Sequence, residues 1–256
     1  MMDAILLVDM GSIFWPHWMA TKSQVHAFYS TIERIERCAR DYECVIVCVD
    51  SPRNWRHDLT ESLPKEAQYK ANRPRQPEEA TLALRDTQGR LRKLGYHVVG
   101  VDNYEADDVI ATLCDQAFLD PVHILSEDKD LFQLLGPTVT QLTRGGEITP
   151  AGCERKFGLP PRLIRDLLAI WGDASDGVAG CYGVGQGKAV DLLKAFGSIE
   201  GIKAASVEEL RAIRGIGPKV AESIREWDPT LALQLVSLKR DVPINLEQLR
   251  RKEEAA

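Results

Sequence analysis

Acidic side chains gather where the apolar runs of this sequence end. Asp9 closes Ala4-Ile5-Leu6-Leu7-Val8, and Asp50 closes Cys44-Val45-Ile46-Val47-Cys48-Val49. Glu105-Ala106-Asp107-Asp108 follows His97-Val98-Val99-Gly100-Val101, and Asp128-Lys129-Asp130 follows Val122-His123-Ile124-Leu125. A further pair, Asp173 and Asp176, lies in Trp171-Gly172-Asp173-Ala174-Ser175-Asp176. If the runs are strands of one parallel sheet, their C-termini open onto a single edge, where such sheets place ligands. Carboxylates crowded there cannot all ionise unless cations neutralise them. Oxygen-only donors suit Mg²⁺ or Mn²⁺, so the pattern predicts a metal-dependent active site.

The elements that must position these groups follow from periodicity. Apolar strands near 4–9, 44–50, 97–102 and 122–126, with a weaker one near 138–142, alternate with amphipathic stretches near 23–40, 78–94, 106–117 and 129–135. That alternation predicts an α/β fold, a mainly parallel central sheet flanked by helices. From about residue 150 strand signals fade and helical periodicity with Gly and Pro punctuation takes over. Two domains are expected: 1–165, and a helical subdomain over 166–256.

Two other features could meet a phosphate. Between Ser51 and Pro77 lie Arg53, Arg56, Lys65, Lys70, Arg73 and Arg75, with Trp55 and Tyr69 among them. Such a segment can hold phosphates and stack bases, or be a solvated loop. On a helix, Lys70 and Arg73 would share one face. Gly183-Val184-Gly185-Gln186-Gly187-Lys188 leads into an amphipathic helix, and a Gly-x-Gly turn there exposes backbone N–H groups that can grip a phosphate. A second copy, Gly215-Ile216-Gly217-Pro218-Lys219, is either another phosphate clamp or a tight helix-to-helix turn.

The net charge of −6 argues against nucleic acid only if the acid is spread evenly, and here it is concentrated. With 44% hydrophobic and 27% charged residues, no stretch reads as a membrane span or signal peptide, and a cytoplasmic location is expected, nucleoid-associated or in a host cytoplasm if the source is viral. Six cysteines without a Cys-x-x-Cys pair read as reduced core thiols.

Taken in order, the motifs resemble the structure-specific 5′ nucleases, the flap endonucleases and the 5′-3′ exonuclease domain of bacterial DNA polymerase I, here in stand-alone form. Leu6-Leu7-Val8-Asp9 is similar to the family's first acidic motif, and Val49-Asp50 with Trp55-Arg56-His57 and Tyr69-Lys70-Ala71-Asn72-Arg73 to its second motif and arch. The segments carrying Glu105, Asp107, Asp108, Asp128, Asp130, Asp173 and Asp176 match the remaining acidic motifs. Gly177 to Ala189 resembles its helix-three-turn-helix, and Lys239-Arg240-Asp241-Val242-Pro243 its closing segment. The chain departs from the family pattern at Met10, Pro16, Ala179, Tyr182 and Gly187-Lys188. Phe14, Trp15 and Trp18 are left between base stacking and core packing.

The resemblance implies a PIN-like nuclease core with an arch at about 51–80, and a Mg²⁺-dependent 5′-3′ exonuclease and flap endonuclease of DNA replication or repair using two or more metal ions, with Mn²⁺ able to substitute. It implies that Asp50, Glu105 and Asp107 hold the first metal, with Asp9 and Asp108 binding directly or through water. Asp128, Asp130, Asp173 and Asp176 would hold the second. Lys70 and Arg73 would be the catalytic cations; Arg56, Tyr69 and the turn Gly183, Val184, Gly185, Gln186, Gly187 and Lys188 would bind DNA, with K⁺ a candidate at that turn. The implied partner is branched or 5′-ended DNA, the implied state a monomer, and a polymerase partner is open. A PIN-like ribonuclease and a non-catalytic branched-DNA-binding protein are the alternatives.

Overall fold

The computed structural model describes residues 2–251. Along the chain come β1 (Met2–Asp9), α1 (Met10–Thr21), α2 (Gln24–Ala39), β2 (Tyr42–Cys48), α3 (Trp55–Thr60), α4 (Glu78–Lys93), β3 (His97–Val99), α5 (Ala106–Ala117), β4 (Val122–Leu125), β5 (Val139–Thr143) and β6 (Gly146–Ile148). Helices follow: α6 (Pro150–Phe157), α7 (Ile164–Trp171), α8 (Gln186–Phe196), α9 (Ile199–Ala204), α10 (Val207–Ala212), α11 (Pro218–Glu226), α12 (Thr230–Val236) and α13 (Leu246–Arg251). No helix among the described residues is long and apolar enough to cross a membrane.

The chain divides into two compact units that do not follow the expected 1–165 and 166–256 boundary. One comprises the residues up to Trp55, Pro74–Thr149 and the chain from Leu238 onward; the other comprises Arg56–Arg73 and Pro150–Ser237. The basic segment therefore belongs with the C-terminal helices, and the closing segment returns to the sheet.

In the sheet unit the strand order is β3-β2-β1-β4-β5-β6, parallel throughout except for the hairpin partner β6. Each interior strand is covered on both faces, which is why its residues are almost continuously apolar. Ile5 and Leu7 of β1 pack with Ile46, Val109, Ile110 and Leu113 on one face. Leu6 and Val8 pack with Val45, Val47, Phe14, Ile35 and Leu91 on the other. The closing segment joins the α5 face through Val242 and Leu246, and Gln116 pins it, donating to the Ile244 carbonyl (2.8 Å) and accepting from the Leu246 N–H (2.8 Å).

Strand order reverses beside β1, with β2 on one flank and β4 on the other. The C-terminal ends of β1 and β4 thus flank the point where a doubly wound sheet opens a crevice. Asp9 is the last residue of β1, and Asp128 follows β4 by three residues.

Several local readings are narrowed. Phe14 and Trp18 are core residues of α1, so base stacking is not their use; half-buried Trp15 meets Phe14 edge-on at 5.2 Å. The stretch expected as a helix near 129–135 is a 3-10 turn over Asp130–Leu134. The arch is no continuous helix: α3 and the 3-10 turn Lys65–Ala67 lead into turns, and Lys70 lies at φ 56°, off any helical face shared with Arg73.

Candidate active site

Hydrogen bonds hold the strand-end carboxylates. Asp9 caps α1: its Oδ1 accepts from the Ser12 N–H (3.1 Å) and its Oδ2 from the Ser126 hydroxyl (2.8 Å). The Ser126 Oγ accepts from the Asp128 N–H (3.0 Å), and the Asp128 Oδ1 accepts from the Asp130 N–H (2.9 Å). Beneath this loop the Gln141 amide of β5 donates to the Ser126 and Asp128 carbonyls, each at 2.8 Å. Asp50 accepts through Oδ1 from the Ala106 N–H at the first turn of α5 (2.9 Å), which joins the β2 end to the Glu105–Asp108 segment.

Gly11 fits between two of these acids. A Cβ there would lie 3.3 Å from the Asp50 Oδ2 and 3.6 Å from the Asp9 Oδ1, so a side chain would crowd the carboxylates of neighbouring strands.

The group is electrostatically one cluster. Burial, then the charges of Asp50 and Asp128, push the Asp9 carboxyl up to about 7, against hydrogen bonds from Ser12 and Ser126 that pull the other way. Burial, then Asp128, Asp9, Glu105 and Asp50, hold the Asp107 carboxyl well above the carboxylate range. Five acids therefore share one field at the sheet edge, inside one unit. Next to them the buried Cys48 thiol is pushed well above its ordinary range and stays protonated, which leaves oxygen as the available donor type.

That chemistry fits a hard divalent cation: only added positive charge lets the acids ionise together. Among the described residues no three His, Cys, Asp or Glu side chains already close around a single point. Mg²⁺ retains several waters, through which carboxylates can reach it.

Asp108 stands apart from the set expected for it. It is fully buried; its Oδ2 accepts from the Trp55 indole N–H (3.0 Å) and the Glu105 N–H (3.2 Å), and its Oδ1 from the Lys239 N–H (2.9 Å). It ties α5, the start of α3 and the closing segment together, with the Lys239 ammonium 4.7 Å above the Trp55 ring.

Lys70, Arg73, Asp173 and Asp176 belong to the helical unit and form a group of their own. Asp173 accepts through Oδ1 from the Ser175 N–H (2.9 Å) and hydroxyl (2.6 Å), and Asp176 pairs with the Arg73 guanidinium. The Asp176 carbonyl accepts from the Lys70 N–H (2.9 Å), which fixes Lys70 in its left-handed conformation, with Nζ 4.8 Å from the Tyr69 ring centroid. The loop is held by a backbone crossing: a Cβ on Gly172, at φ 79°, would lie 2.4 Å from the Gly180 nitrogen. Gly172→Ala is therefore expected to cost about 2 kcal/mol or more and lower the urea midpoint of unfolding.

Arg56 and Tyr69, expected at the DNA, are both buried. Arg56 is 2% exposed, and its Nε and Nη2 donate to the Leu235 and Ser237 carbonyls, each at 2.8 Å. It satisfies carbonyls that the C-terminus of α12 leaves without helical partners. Tyr69 is 5% exposed and packs edge-on against His57, so it offers no face to a base.

Both Gly-x-Gly turns are present and form a structural repeat. Gly183 and Gly215 have φ 77° and 81°, and Gly185 and Gly217 cap α8 and α11 with φ −84° in each case. Val184 and Ile216 are buried between them. The two turns pack reciprocally, since a Cβ on Gly183 would lie 3.0 Å from Val220 and one on Gly215 3.3 Å from Lys188, the third residues of α11 and α8. The Lys188 ammonium donates to the Gly183 carbonyl (2.9 Å), and Tyr182 at the first turn is 84% exposed.

Sequence reasoning missed Ser12, Ser126 and Gln141, whose polar groups orient Asp9 and Asp128. The available signal was position: Ser126 directly follows the apolar β4 run and directly precedes the acidic segment.

The family description "5′-3′ exonuclease, N-terminal resolvase-like domain" matches residues 4–158, and "5′-3′ exonuclease, C-terminal SAM fold" matches 159–256. DNA polymerase I of Bacillus caldotenax is 34% identical over 70% of the chain, and the chain spans 21% of its length. A 5′-3′ exonuclease of Buchnera aphidicola is 28% identical over 87% of the chain and 78% of that protein. A bacteriophage T5 flap endonuclease, solved with DNA and metal ions, shares the fold with a TM-score of 0.75 at 19% identity, over 98% of each chain. The chain belongs to the 5′-3′ exonuclease family.

Proposed function

We propose that the protein is a divalent-cation-dependent 5′ nuclease that hydrolyses DNA phosphodiesters near 5′ ends and at 5′ flaps, in DNA replication or repair. The observation that carries this reading is the sheet-edge cluster of Asp9, Asp50, Glu105, Asp107 and Asp128, whose charges, with burial, raise the Asp9 and Asp107 carboxyls and suit cations. The Buchnera exonuclease and the DNA-bound T5 fold support the choice of substrate.

Bound Mg²⁺ or Mn²⁺ would neutralise the phosphodiester and supply a water of lowered pKa. Asp50, Glu105 and Asp107, with Asp9, would hold the first ion. Asp128 and Asp130 would hold the second, with Asp173 and Asp176 assigned to it by the order of the acidic motifs. Ser12 and Ser126 orient Asp9, so its donor atoms need no reorganisation when a cation arrives. Lys70 and Arg73 are the proposed positive groups for the scissile phosphate. The N–H groups of the turn from Gly183 to Lys188 would hold the backbone of a 5′-ended or branched duplex, with K⁺ there, in a protein acting as a monomer beside a polymerase activity.

Parallel reactions on a 5′-flap duplex, single-stranded DNA and single-stranded RNA, with Mg²⁺ and with chelator, test the proposal. Mg²⁺-dependent cleavage of the flap duplex is expected. Cleavage of RNA alone would replace it with a ribonuclease, and metal-independent binding without cleavage would make the protein a branched-DNA binder.

A further inference from the structure

A second polar cavity, of about 530 Å³, lies in the sheet unit among α1, α2 and the ends of β4 and β5, with His17, Glu33, Arg34, Arg37 and Arg144 on its wall. Its volume is in the range of ligand sites. Arg34 is only 7% exposed; its Nη2 is paired with Glu127, while its Nη1 is buried without a hydrogen-bond partner, as is the His17 Nε2. An unmatched buried guanidinium N–H of this kind costs stability.

The charges on the wall leave room for an anion. Glu127 is already engaged, accepting from Arg34 and from the Arg144 N–H (2.8 Å). Arg37 and Arg144 then face the single carboxylate of Glu33, and the wall carries net positive charge. His17 registers that charge: burial, followed by Arg144 and Arg34, pushes its imidazole below the ordinary histidine range, with Glu33 opposing. Guanidinium groups brought together from α2 and from the turn after β5 match the tetrahedral oxygens of a phosphate.

We propose that this cavity binds a phosphate group, with Arg37 and Arg144 as its accessible donors and Arg34 and His17 lying beneath them. Glu127, which braces Arg34, stands between Ser126 and Asp128 in the chain, so the cavity shares its framework with the carboxylate cluster. A phosphate there comes either from the 5′ terminus of a nucleic-acid strand or from free phosphate. Only the first source rests on the nuclease reading.

The test is titration of the protein with inorganic phosphate, followed by the ¹⁵N resonances of the His17 imidazole, in wild type and in Arg37→Ala plus Arg144→Ala, two exposed positions whose loss leaves the core intact. Phosphate is expected to move the His17 signals toward the protonated form, and the double variant to weaken that response at least about tenfold. Signals unmoved by phosphate, or equal responses in the two proteins, overturn the proposal. With chelator present, competition by a 5′-phosphorylated oligonucleotide but not by its 5′-hydroxyl twin supports the strand terminus as the source; a response to inorganic phosphate alone supports free phosphate. Cleavage of a 5′-hydroxyl flap duplex in Mg²⁺, which the double variant retains, reports on the nuclease reading separately.

Discussion

Asp107→Asn is expected to reduce cleavage on the order of 10²- to 10³-fold or more while raising the stability of the cation-free protein at pH 8. Most losses at a buried polar residue weaken a fold; this one removes a charge that burial and four neighbouring carboxylates already disfavour. Asparagine keeps the shape but cannot help neutralise a cation. Tm should rise by a few degrees in chelator. Cleavage rates and melting curves on one preparation check both halves, and a variant that is inactive and less stable would make Asp107 an ordinary structural acid.

The adjacent residue should behave in the opposite way. Asp108→Ala is expected to destabilise the protein by about 3 kcal/mol or more, with chelator or with Mg²⁺, because the Trp55 indole and the Glu105 and Lys239 N–H groups lose their acceptor in a buried site. Urea unfolding in both buffers measures it. Were Asp108 a cation ligand, the loss would be large in Mg²⁺ and small in chelator. Two acids side by side on α5 thus separate by sign: one faces the shared field, the other the N–H groups that lock the closing segment to the sheet.

That separation also marks where the sequence stops being informative. The strands were legible because those buried on both faces need unbroken apolar runs, and α2 and α4 because one face of each is buried. Acidic residues after β1, β2, β3 and β4 were legible as a cluster because a parallel sheet sends all those ends to one edge. Asp107 and Asp108 look alike on paper, since what divides them is a backbone N–H 131 residues away at Lys239. Arg56 reads as an exposed cation until its partners, the carbonyls ending α12, are known. Helix α1 is apolar on most sides and contains Pro16, so its periodicity gave no signal. The interleaving of units was hidden for a related reason: the return of Val242 and Leu246 to the α5 face depends on long-range packing.

If the sheet-edge acids form one cation-dependent centre, thermal unfolding at pH 6 and at pH 8 should respond differently to Mg²⁺. A carboxyl raised to about 7 by the fold, as Asp9 is, favours folding while it is protonated. That contribution is complete below about pH 4 and is lost as the pH climbs through about 7. In chelator, therefore, wild type should lose stability between pH 6 and pH 8. Mg²⁺ at about 100 times its dissociation constant should return about 2.7 kcal/mol at pH 8 and clearly less at pH 6, where protons compete for the same oxygens. A Tm at pH 8 that Mg²⁺ and Mn²⁺ both leave unchanged would contradict the account.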